Sequence, residues 1–138
     1  KYTVPLDKAN VVQEGTDVTI IAYGGEVSEA QKAAKKLAKD NISAEIIDLR
    51  SLYPLDTDTI FESIKKTHRV VIVQEAQKMA GVGAQVASAI SEGAIMYLDA
   101  PVTRVAAPNS VYPFPQAEYV WLPGARDIED AVREVINY

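Results

Sequence analysis

Short apolar runs alternate along this chain with longer segments whose apolar residues recur at helical spacing. Val18-Thr19-Ile20-Ile21-Ala22-Tyr23 is rich in β-branched residues, and Gly24-Gly25 stops it. A run apolar on both faces suits a strand covered from both sides. A helix of roughly 15 residues is predicted next, with Val27, Ala30, Ala34, Leu37 and Ala38 on one stripe. Lys32, Lys35, Lys36 and Lys39 occupy its other face, and Asn41 is a natural C-terminal stop.

The plan then repeats. Residues 44–49 read as a strand, Pro54 interrupts, and Asp56 or Asp58 caps a helix running to Lys66, with Ile60, Phe61 and Ile64 facing the core. Val70-Val71-Ile72-Val73 is the clearest buried strand. It leads through Gln74-Glu75-Ala76 to Gly81-Val82-Gly83 and a helix burying Val86, Ala87 and Ile90. A strand over 102–106 follows, then an irregular stretch holding Pro108, Pro113, Pro115 and Pro123. A last helix over 126–137 carries Ile128, Ala131, Val132, Val135 and Ile136 at helical spacing. Residues 1–16 read as a linker arm or an added edge segment, and 17–138 as one domain. Strands alternating with helices of this length predict a three-layer α/β/α fold around a mostly parallel sheet.

Composition narrows the function. With 138 residues, nearly half apolar and a quarter charged, the chain can bury a core without staples. A net charge of −5 disfavours a nucleic-acid partner. The absence of cysteine excludes disulfides, thiolate catalysis and cysteine-ligated zinc, and fits a reducing compartment. No apolar run approaches the roughly 20 residues of a membrane helix. The start, Lys1-Tyr2-Thr3-Val4-Pro5-Leu6, has neither a methionine nor a signal-peptide pattern, so the chain is expected to be cut from something longer.

Three chemical readings compete at the strand ends. Gly81-Val82-Gly83 opens a helix and invites a phosphate, but Val86 stands where a dinucleotide fingerprint wants glycine, which favours tight packing as its role. Asp48 with Lys78 resembles a phosphoacceptor arrangement, yet Gly24-Gly25 stands where magnesium-binding acids are needed. His68, the sole histidine, lies at a strand entrance without an orienting carboxylate, which favours a surface or capping role over acid–base catalysis. No nucleophile elbow, metal-ligand cluster or Walker loop is present. No catalytic, cofactor-binding or metal-ligating residue is therefore assigned.

Two features favour binding. The last helix ends beside Tyr138, so a terminal carboxylate there meets the negative end of the helix dipole, unfavourable by about 0.3–1 kcal/mol without a cation; a frayed, solvated last turn is the alternative that the residues alone favour. Tyr112-Pro113-Phe114-Pro115 with Tyr119 and Trp121 forms an aromatic, proline-rich segment that serves equally as an interface anchor or a loop anchor.

Asp48-Leu49-Arg50-Ser51-Leu52-Tyr53-Pro54-Leu55-Asp56 and Asp99-Ala100-Pro101-Val102-Thr103-Arg104-Val105 together carry a resemblance. Gly15 to Thr19, Val111 to Pro115 and Val120 to Pro123 extend it in the same order. The chain resembles the C-terminal domain of the β subunit of thiamine-diphosphate-dependent 2-oxoacid dehydrogenases. The match is closest to the pyruvate-utilising bacterial subunits, with branched-chain and acetoin relatives kept open. The resemblance implies a five-stranded sheet with one antiparallel strand, for which Ile95-Met96-Tyr97-Leu98 is the candidate. It also implies that 1–16 joins a missing N-terminal domain.

On this resemblance, thiamine diphosphate and magnesium belong to the complete enzyme, between the α subunit and the N-terminal domain of β, and none binds here. The isolated domain is expected to be inactive. Its implied partners are the α subunit, a second β subunit in an α2β2 tetramer, and the peripheral subunit-binding domain of the acyltransferase. That last contact carries over to Asp99, the acid before Ala-Pro, and to the carboxylate of Tyr138. The implied compartment is the bacterial cytoplasm, or the mitochondrial matrix in a eukaryote. Two alternatives remain: a free-standing nucleotide- or small-molecule-binding domain, and a domain of another transketolase-type enzyme such as deoxyxylulose-phosphate synthase.

Overall fold

Every long apolar run becomes a strand buried on both faces. A computed structural model describes residues 1–138. Its elements are β1 (Asn10–Gln13), β2 (Val18–Ala22), α1 (Glu26–Leu37), β3 (Ala44–Asp48), α2 (Thr57–Thr67), β4 (Val70–Gln77), α3 (Val82–Gly93), β5 (Thr103–Ala107), α4 (Glu118–Trp121) and α5 (Ala125–Ile136). The five strands lie in the order β1-β3-β2-β4-β5. Four are mutually parallel, and β1 runs antiparallel along β3.

Alternation along each strand divides the core in two. Val18, Ile20, Ala22, Ile46, Val71 and Val73 pack under α1 and α5, against Ala30, Leu37, Ile128 and Val132. Ile21, Ile47, Leu49 and Ile72 pack on the other face against Ile60, Ile64, Val86 and Ile90 of α2 and α3. The three-layer α/β architecture is the one the periodicity predicts.

Local signals place most boundaries. Helix α1 continues as a 3-10 turn over Ala38–Asp40 and stops at Asn41, whose φ of 61° is left-handed. Asp56, rather than Asp58, caps α2: its carboxylate accepts from the Thr59 amide at 3.3 Å and hydroxyl at 2.7 Å. At Gly15 an added Cβ would lie 2.2 Å from the Ala44 backbone carbonyl carbon, so the chain enters β2 by an approach that only glycine permits.

One expectation fails. The antiparallel strand is Asn10–Gln13, not 95–98, so the edge reading of the first sixteen residues holds for these four. Residues 1–9 carry no helix or strand. Residues Ile95–Tyr97 form a 3-10 turn instead. The Tyr97 carbonyl meets His68 Nδ1 at 2.8 Å, and the Asp99 amide donates to the His68 carbonyl at 2.9 Å. Those bonds draw the segment against the α2–β4 junction, where no strand edge is open to it.

Candidate partner-docking site

The junction that holds this turn also builds the groove with which the two proposed docking residues are associated. His68 ends α2 in a left-handed conformation, φ 60°, and its amide donates to the Ile64 carbonyl. It is thus a cap, and it turns the chain so that Arg69 faces the segment before β5. The Arg69 Nε donates to the Val135 carbonyl at 3.1 Å, while its guanidinium lies 3.9 Å from an Asp99 carboxylate oxygen. One side chain therefore ties the last turn of α5 to the loop carrying Asp99, and supplies a cation near the negative end of the helix.

Asp99 and Tyr138 line the same groove, about 560 Å3, with Ile95, Leu98, Pro101 and Val102 among its walls. Met96 and Tyr138 stand 90% and 80% exposed beside it. An apolar trough edged by an accessible carboxylate is suited to a partner that brings cations around a small hydrophobic contact. The groove lies at the entrance end of the strands, where β4 and β5 begin, opposite the crevice in which open parallel sheets usually hold small ligands.

The other sequence candidates fall into structural roles. The Gly83 amide donates to Gln74 Oε1, and a Cβ at Gly81 would collide with the Gln74 side chain. The glycines thus seat α3 tightly on β4, as the packing reading holds. Asp48 accepts from the Arg50 amide at 3.1 Å. In the aromatic segment, Tyr112 and Trp121 meet edge to face at 5.0 Å, and Trp121 Nε1 donates to Ser110 Oγ at 2.9 Å. Phe114 and Tyr119 point outward, so the segment anchors its own loop and leaves apolar surface beyond it.

Sequence reasoning missed one constellation. Glu26, the first residue of α1, is 2% exposed and its Oε2 accepts no hydrogen bond. Burial, then the charges of Glu75, Glu29 and Asp127, push its carboxyl up to about 7. The only sequence signal is an acid directly after Gly24-Gly25, paired with a second acid, Glu75, late in β4.

The fold and groove define a three-layer α/β domain with an antiparallel edge strand. The chain belongs to the transketolase C-terminal domain family, whose model matches residues 7–128. Over all 138 residues it is 54% identical to "Pyruvate dehydrogenase E1 component subunit beta" of Bacillus subtilis and 52% identical to the protein of that name in Staphylococcus aureus. It spans 42% of the length of each. A solved structure described as "Split gene transketolase, inactive beta4 tetramer" superposes with a TM-score of 0.87 at 32% identity, covering 99% of this chain and 44% of that one. The resemblance read from the motifs is thus met by family and relatives alike.

Proposed function

We propose that this chain is the C-terminal assembly domain of a pyruvate dehydrogenase β subunit. In this reading it supports β–β pairing in an α2β2 tetramer and docks the peripheral subunit-binding domain of the acyltransferase. The complete enzyme decarboxylates pyruvate oxidatively and acylates lipoyl groups. Thiamine diphosphate and magnesium are assigned to the rest of the enzyme. In a bacterial host the enzyme works in the cytoplasm, and in a eukaryote in the mitochondrial matrix.

The observation that carries the docking reading is the meeting of Asp99 and Tyr138 on one groove, although β5 and α5 separate them in the chain. The partner's basic residues would pair with the Asp99 carboxylate, while an apolar side chain enters between it and Tyr138. Such charged contacts give orientation and association rate as well as affinity. The likeness to a transketolase subunit described as a β4 tetramer supports self-association, and keeps a transketolase-type enzyme as the second reading.

Sedimentation velocity of the assembled α2β2 enzyme, titrated with the acyltransferase's peripheral subunit-binding domain, tests the proposal. Binding that salt weakens, and that Asp99→Ala weakens by about 1–3 kcal/mol, supports it. An unchanged dissociation constant removes Asp99 from the site. A tetramer that ignores the domain overturns the docking reading.

A further inference from the structure

At the opposite end of the sheet, the chain leaves β2 for β3 on one side while β4 lies on the other. Ligands of open parallel sheets settle beside strand ends at such a divergence. A cavity of about 340 Å3 occupies this place, lined by Glu26, Glu29, Glu75, Tyr119 and Pro123 among others. Within its lining, Glu26 is the buried charge carrier, and its Oε2 has no partner.

The groups facing Glu26 are acidic from every side. Tyr23 ends the β2 side, Glu29 comes from α1, Glu75 from β4 and Asp127 from α5. Nearby cations are already paired, Lys32 with Glu29 of the lining at 2.6 Å and Lys36 with Glu129 at 2.9 Å. Glu29 also accepts from the Ala125 amide and Asp127 from the Gly124 amide. Glu75 gives one oxygen to the Gly25 amide at 3.0 Å. That leaves both Glu26 oxygens, Asp127 Oδ1 and the second Glu75 oxygen without a donor from the chain, and of these the Glu26 Oε2 is buried.

These carboxylates do not form a metal-ligating group. Two carboxylates beside a tyrosine ring suit a planar, weakly hydrated cation that makes several hydrogen bonds and stacks. We propose that the β2–β4 crevice binds a guanidinium group between Glu26 and Glu75, against Tyr119. Because the Glu26 carboxyl lies at about 7, the site gains its full charge only above neutrality.

The test follows the side-chain carboxyl carbons of Glu26 and Glu75 by NMR in the 138-residue chain, while methylguanidinium is added at pH 6 and pH 8. Saturable binding about tenfold tighter at pH 8, with the Glu26 titration displaced to lower pH on saturation, is the expected result. Glu26→Gln should abolish the pH dependence. Glu75→Gln should weaken binding while Glu26 still titrates, which keeps the test decisive if the first variant folds poorly. No saturable response at either pH, or unaltered binding by Glu26→Gln, overturns the proposal.

The same titration on the full-length subunit identifies the source of the cation. Retained binding points to a free small molecule. Lost binding with Glu26 already ionised at pH 6 points to an arginine from the rest of the polypeptide. Lost binding with Glu26 still protonated at pH 6 shows the crevice closed in the full-length protein and overturns the proposal.

Discussion

Replacing Glu26 with glutamine should make the domain's stability less dependent on pH by an amount the structure sets. In the folded chain burial, and then Glu75, Glu29 and Asp127, raise the Glu26 carboxyl from 4.5 to about 7. Between those values the folded state holds a proton that the unfolded chain has released. Stability is therefore lost as pH rises through this window and levels off above it. At about 1.36 kcal/mol for each factor of ten in the ionisation constant, the full loss is about 3.4 kcal/mol, of which about 2–3 kcal/mol falls between pH 5 and pH 8. Glutamine has nearly the same volume and cannot ionise, and groups elsewhere titrate alike in both proteins. The difference in unfolding free energy between variant and wild type should accordingly grow in the variant's favour by about 2–3 kcal/mol over that range. Urea denaturation in parallel buffers measures it, urea being chosen because guanidinium is itself the cation proposed for the crevice. A difference that stays constant within about 0.5 kcal/mol from pH 5 to pH 8 would falsify the raised Glu26 carboxyl.

Lys66 closes a second buried acid, Glu45, which is 2% exposed and otherwise accepts from the Gly15 amide at 3.3 Å. Lys66→Met should cost about 1–3 kcal/mol in urea denaturation, below the usual penalty for a broken buried pair because the lysine is partly solvated; a loss under about 0.5 kcal/mol would contradict the pairing. Gly15→Ala forces a methyl group onto the Ala44 backbone, and a loss of about 1–3 kcal/mol is expected by thermal or urea unfolding. Asp56→Ala should cost about 1–2 kcal/mol at pH 7. Burial alone would raise the Asp56 carboxyl, but bonds from Thr59 and the Ala9 amide outweigh it and hold it below 3.8. Its contribution is therefore present above the unfolded value and lost as pH falls through the folded one, so the variant's deficit should shrink in acid; a deficit unchanged at low pH would show that the ionised cap is not its source.

Several site features were legible because their causes are local. Asn41 and Asp56 announce helix ends through bonds to residues a few positions away. For His68 the sequence leaves a surface role and a cap open, and the structure shows the cap. The run 95–98 misled because its apolar residues mimic a strand. Ile95 and Met96 are exposed, however, and the segment is fixed by bonds to His68, which sequence spacing does not reveal. The four residues of β1 contain too few apolar positions to distinguish a strand from a linker, and their pairing with β3 crosses a long stretch of chain.

The sequence alone determined the α/β alternation and the buried character of β2, β3 and β4. Burial on both faces demands unbroken apolar runs, and a covering helix demands an apolar stripe, so both requirements are written in neighbouring residues. Tertiary structure alone decided the strand order, and with it the meeting of Glu26 with Glu75 at one end of the sheet. At the other end it brought Asp99 and Tyr138 onto one groove through Arg69. The physical reason is that pairing order and crevice electrostatics arise from groups distant in the chain, whose energies exist only once the sheet has brought them together.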